Sequence, residues 1–245
     1  MREFKSFAWK DASFKICSSR FKLITEEIIK HRVELEEYIK LHPDFLTSLV
    51  PVGLLPYAPE SAKRMQLASQ IVGVGPMAAV AGTMAQLAVE KALDADREEV
   101  IVENGGDMYM ASGDMISIGI YAGKSPLSGK LAFKITPDFM PLSLCSSSSK
   151  MGHSKSFGNC DLVTVVSSNA SIADAAATWA CNQVKSVSDV DRVLEEAVAF
   201  KEVKGVLIIK DAQIGLIGEL PKIVKNDDNK VNAKVTHHQM SNFME

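Results

Sequence analysis

Residues 145–182 read CSSSSKMGHSKSFGNCDLVTVVSSNASIADAAATWACN. A serine-rich loop leads past His153 into the apolar run Leu162–Val166, whose length and β-branched content suit a buried strand. A turn follows. Ser171–Val184 then reads as a helix of small residues that carries Asp174 and Thr178. Strand, turn and helix entry lie together, the kind of junction at which α/β proteins hold ligands.

Asp174 and Thr178 are spaced i and i+4, so one face of the helix presents both. Both offer oxygen, which hard cations prefer, and magnesium needs few protein ligands when a phosphate supplies the rest. The same residues allow a plainer role, because Ser171 followed by Asp174 also reads as a capping box. A second stretch, Glu103-Asn104-Gly105-Gly106-Asp107, is a tight turn. Its paired glycines suit a hairpin, or the close approach of a ligand to the backbone. His153 would need a nucleophile and an orienting partner to act as a base. The hydroxyls of Ser146–Ser149, Ser147 and Ser148 among them, suit a phosphate or simply a loop.

Outward from this centre, the chain alternates strands and helices. Two short strands occupy residues 3–19. Leu23–Leu41 has apolar residues at helical spacing, with Thr25-Glu26-Glu27 suiting its start and Pro43 its stop. Four prolines in 43–60 predict an irregular connector. Ser61–Ile71 is a shorter helix. Gly73-Val74-Gly75-Pro76 opens the Ala-rich helix Met77–Leu93, whose first amides suit either a phosphate or tight packing. Glu99–Glu103, Asp107–Met110 and Met115–Tyr121 predict a three-stranded antiparallel meander. Strands at Leu131–Ile135 and Leu142–Cys145, a helix over Ser188–Phe200, and a hairpin of Gly205–Ile209 with Gln213–Gly218 complete the pattern. This order predicts an α+β fold, helices packed on a mixed, mostly antiparallel sheet. Residues 1–221 read as one domain and 222–245 as a polar tail.

The totals narrow the function. The 245 residues are 47% hydrophobic and 23% charged, with a formal charge of −3, so no basic field invites nucleic acid. No apolar run approaches the about 18 residues of a membrane span, and the N-terminus lacks the apolar core of an export signal. A cytoplasmic location is the expectation. Cys17, Cys145, Cys160 and Cys181 have no CxxC spacing and read as small buried residues.

Two runs together carry a resemblance. VENGGDMYMASGDMISIGIYAG (102–123) and DLVTVVSSNASIADAAATWA (161–180) resemble, in order and separation, segments of the ApbE-like proteins, over about residues 75–220. That family comprises FAD:protein FMN transferases, which use Mg²⁺ and move FMN onto a Thr or Ser of a target protein. The resemblance implies Asp174 and Thr178 as metal ligands and Gly105, Gly106 and Asp107 at the flavin. It places Ser147, Ser148 and a catalytic His153 near the diphosphate or the reaction centre. Two departures stand out. The family's H-x-x-D-P-x-T-G element is missing; His153–Gly158 stands there without Asp-Pro. Glu103 also stands where the family has Asn. With PMAAVAG at 76–82 and GHSKSFG at 152–158, the chain is more similar to a cytosolic branch lacking that element.

Three functions follow. One is a Mg²⁺-dependent FMN transferase with an acceptor protein. Another is a non-catalytic binder of a flavin or other phosphorylated small molecule. The last is a partner-binding protein that uses the helix Leu23–Leu41 and the apolar loop Leu49–Tyr57. The sequence leaves the oligomeric state open.

Overall fold

An eight-stranded antiparallel sheet divides the molecule, with helices on one face and a second, three-stranded sheet on the other. The computed structural model describes residues 2–96, 98–150 and 158–226. The chain opens with the hairpin β1 (Lys5–Trp9) and β2 (Ala12–Cys17). Four helices follow: α1 (Phe21–Leu41), α2 (Pro43–Thr47), α3 (Glu60–Val72) and α4 (Val80–Ala95). Next come β3 (Val100–Asn104), β4 (Asp107–Ala111), β5 (Ile116–Ile120), β6 (Leu131–Ile135), β7 (Leu142–Ser147) and β8 (Leu162–Ser167). The remainder is α5 (Ala170–Gln183), α6 (Val190–Val198), β9 (Val203–Lys210), β10 (Gln213–Gly218) and β11 (Lys222–Lys225).

The large sheet runs β1-β2-β3-β4-β7-β8-β9-β10 and the small one β11-β6-β5. Every pairing is antiparallel. The run Leu162–Val166 is continuously apolar because β8 is covered on both faces. Val163 and Val165 face the helices; Leu162 and Val166 face the small sheet. α4 packs on β3 and β4, and α5 on β7 and β8. α1 and α3 pack against these two helices in turn, so α4 is buried nearly all round. Its Ala-rich composition permits this close approach.

Four expectations need correction. The meander is broken: β4 pairs with β7, whereas β5 pairs with β6 in the small sheet. Ile116 and Ile120 of β5 join Phe133 and Ile135 of β6 against Met110, Leu142 and Leu144, a face β5 could not cover while lying beside β4. The proline-rich connector contains the helical turn α2, because Pro43 sits in its first turn, where the missing N–H costs nothing. α1 starts at Phe21, and the Thr25 hydroxyl donates to the Lys22 carbonyl at 2.9 Å within the helix, so Thr25 is no cap. The tail expected from Lys222 begins as a strand, since Lys222–Lys225 pair with Leu131–Lys134 on the edge of the small sheet. Among the described residues no single helix is long and apolar enough to cross a membrane; α3 and α4 pass such a test only jointly, across a 105° bend.

Candidate functional site

Asp107 follows the Gly-Gly turn and opens β4. Gly105 and Gly106 take φ of 65° and 105°, left-handed values that suit a two-residue hairpin and that a side chain would strain. The Gly106 amide donates to Glu103 Oε1 at 2.8 Å, so the residue before Asn104 braces the turn. Tyr109 faces the helices and Met108 and Met110 the small sheet, so alternation aims Asp107 at the helices as well. Its carboxylate is buried and accepts the Ser146 amide of β7 at 3.0 Å. The Cys145 thiol lies against it and 3.5 Å from the Ala170 carbonyl.

α5 brings the second carboxylate. Its cap is Asn169, whose Oδ1 accepts the Ile172 amide at 3.3 Å. Asp174 therefore does not cap its own helix, and that reading is corrected. Its Oδ2 reaches instead to the first turn of α4, where the Gly82 amide donates to it at 2.9 Å. A free amide at a helix start is a natural donor to a carboxylate. Two further hydrogen bonds align the helices. Thr83 and Ser171 hydroxyls meet at 2.7 Å, and the Ala170 amide donates to Gln86 Oε1 at 2.7 Å. The start of α4 is thus committed to Asp174, and this bears against reading the Gly-rich entry as a phosphate cradle. Gly82 has no room for a side chain: a Cβ would stand 2.3 Å from the Ala170 carbonyl oxygen.

The two aspartates face the same interior. Burial pushes Asp174 up to about 7, against the pull of the Gly82 and Ala81 amides. Burial and then the charge of Asp174 hold Asp107 well above the usual carboxylate range, and Glu103 adds to the effect. Among the described residues neither aspartate has an ion-pair partner. Among the described residues, no group of three or more His, Cys, Asp or Glu side chains converges there as a metal cage. What converges is a pair of buried carboxylates, with Thr178 half-buried one turn beyond Asp174.

A family model described as "AbpE bacteria" matches residues 17–204. The UPF0280 protein of Methanocaldococcus jannaschii is 39% identical over 212 residues, covering 84% of this chain and 86% of its own length. The protein belongs to the UPF0280 branch of the ApbE-like superfamily. A UPF0280 protein of Archaeoglobus fulgidus is 40% identical over 233 residues, 91% of this chain and 94% of its own. In fold, this UPF0280 chain is similar to the ApbE protein of Thermotoga maritima, with TM-score 0.56, 12% identity, and coverage of 87% of this chain and 96% of that one. It is also similar to the flavin transferase ApbE of Vibrio cholerae, with TM-score 0.52, 12% identity, and coverage of 89% and 97%. The α+β fold of ApbE type expected from the sequence is the fold observed.

Of the residues singled out in the UPF0280 sequence, the structure brings Gly105, Gly106, Asp107 and Asp174 together. Ser147 lies near the end of β7, and Ser148 accepts the Lys150 amide at 3.1 Å within its own turn. Neither shares a hydrogen bond with Asp107 or Asp174. His153 lies outside the described residues. The four cysteines form no disulfide and are buried, as expected of small core residues. Sequence reading missed Gly82, Gln86, Cys145 and the Ser146 amide. Only the small-residue run Ala78–Gly82 hinted at the first, as a surface for close packing.

Proposed function

We propose that this protein binds a flavin nucleotide at the junction of the Gly105-Gly106 turn, β7 and the facing starts of α4 and α5, and acts on it as an ApbE-type transferase. The observation that carries the reading is the buried pair Asp107 and Asp174, which has no ion-pair partner among the described residues. Two carboxylates without a basic partner are costly to bury as anions. A hard divalent cation relieves that cost, and the oxygen-only donor set suits Mg²⁺, which keeps positions for phosphate oxygens. Asp174 and Thr178 would hold the cation, with Asp107 beside them. When bound, it would polarise a flavin diphosphate as a Lewis acid. The chain's own contribution is placement. Gly82 fixes the Asp174 carboxylate, the Ser146 amide fixes Asp107, and the side-chain-free turn lets a flat ligand approach the backbone. That the Vibrio cholerae protein of similar fold is a flavin transferase supports the choice of flavin.

A second reading rests on one sequence fact: the H-x-x-D-P element is missing, so His153 lacks the Asp-Pro that accompanies it in the transferases. On that reading the site binds the nucleotide and does not cleave it.

The test is quenching of FAD fluorescence by the purified protein with and without Mg²⁺, followed by assay of AMP release with and without an acceptor peptide containing Thr. Mg²⁺-dependent quenching that Asp174→Asn abolishes supports binding at this site. AMP release separates transferase from binder. No quenching with FAD at saturating Mg²⁺ would sink the flavin assignment.

A further inference from the structure

We propose that residues 41–57, which wrap the end of α1 and the turn α2, form the contact face between two copies of this chain. This inference is independent of the flavin site. Leu46, Leu49, Val50, Leu54, Leu55 and Tyr57 all project to solvent here, Leu49 at 68%, Val50 at 61% and Tyr57 in full. They belong to one stretch of chain folded back on itself. His42 Nε2 bonds the Gly53 carbonyl at 2.9 Å, and the Leu55 amide donates to the Tyr38 hydroxyl at 2.9 Å. Phe45 anchors the fold from below, fully buried and edge-on to Tyr38.

Together with Leu41, these side chains expose on the order of 700 Å², above the roughly 300–600 Å² of the largest patch on a typical monomer. That is close to the about 800 Å² that each partner gives to a standard stable interface. Charge selects the occupant. In a protein that is 23% charged, Asp44 is the one charged residue between Lys40 and Glu60. A surface with a single charge offers a charged partner little to complement, and a stretch without Lys or Arg has no attraction for an anionic membrane. A two-fold contact brings the same patch onto itself, so scarcity of charge is what makes it self-compatible.

The patch is also held ready. Pro43, Pro51 and Pro56 restrict the backbone, and the Ser48 hydroxyl donates to the Val50 carbonyl at 2.7 Å and accepts the Val50 amide at 3.2 Å. Little ordering remains to be done on association. The Ser48 carbonyl also fills the space beside Gly75, where a Cβ would stand 1.9 Å from it, so the loop is seated firmly on the molecule.

The test is sedimentation of the full chain across a concentration series, with Leu49→Asp, Tyr57→Asp and, as a control on the distant strand β10, Leu216→Asp. The expected result is a species of twice 26.6 kDa that dissociates on dilution. Each patch variant should shift its midpoint at least about tenfold upward, equivalent to about 1.4 kcal/mol. Leu216→Asp should leave it unchanged, and far-UV circular dichroism should be unchanged in all three because these side chains are exposed. A monomer at every concentration overturns the proposal. So does a dimer that the patch variants leave intact. Flotation of a monomeric wild type with neutral phosphatidylcholine vesicles, lost in both patch variants, would also overturn it and assign the face to a lipid surface.

Discussion

Asp174 shows how one side chain couples stability to ligand. Its ordinary value in the unfolded chain is 3.8, and in the folded protein it sits at about 7. Between those values the folded state holds a proton that the unfolded state has released, so stability falls as pH rises through the interval. Below it both states are protonated; above it both are ionised and the full penalty stands. Asp107 is displaced the same way. The metal-free protein should therefore be less stable at about pH 8 than at about pH 5, by on the order of a few kcal/mol, and melt lower there. Asp174→Asn should flatten that decline, which thermal melts across pH would reveal; an unchanged slope would remove Asp174 from the account. Added Mg²⁺ should raise the melting temperature of the wild type more at the higher pH, because binding must displace the proton. Thr178→Val keeps shape and removes one oxygen. It should weaken Mg²⁺-dependent FAD quenching by about tenfold, about 1.4 kcal/mol, with little change in melting.

At the scale of elements, the site is a seam between the starts of α4 and α5. Gly82→Ala should force the helices apart at the Ala170 carbonyl, costing about 1–3 kcal/mol and removing the Mg²⁺ response together with it. Urea melts with and without Mg²⁺ check both effects. Gly106→Ala has room around its Cβ, the nearest atom being the Ser146 carbonyl at 4.0 Å. Its cost should come from the φ of 105° alone, about 1–3 kcal/mol. These residues also show what a sequence discloses. The strand at Leu162–Val166, the Gly105-Gly106 turn and the helix at Ser171–Val184 are legible because local pattern and turn chemistry determine them. The partner of Asp174 was not, since nothing near residue 174 points to residue 82. The strand β5 was legible as a strand, but alternation of Ile116, Ile118 and Ile120 does not say which neighbour it takes. α2 was hidden because prolines that stop one helix can equally begin the next.

The whole molecule is a sheet lined by helices on its site face and stiffened from behind. The small sheet contributes Phe133, only 2% exposed, to the second core. Phe133→Ala should cost about 3–5 kcal/mol. Because that core lies across the large sheet from Asp107 and Asp174, the Mg²⁺-induced shift in melting should survive; losing it would mean that the two faces are coupled. The order of strands has a further consequence. β2 pairs with β3 only after all of α1–α4 has been made, as in the register of Phe14 with Asn104. Asp107 meets its counterpart only when α5 arrives. On an emerging chain, both carboxylates therefore stay hydrated and ionised until the C-terminal half closes over them. Closure of these long loops is slow. Burial of the pair thus waits on α5, which lies far down the chain from Asp107, so a cation present during synthesis is expected to act on the rate of maturation as well as on the finished protein.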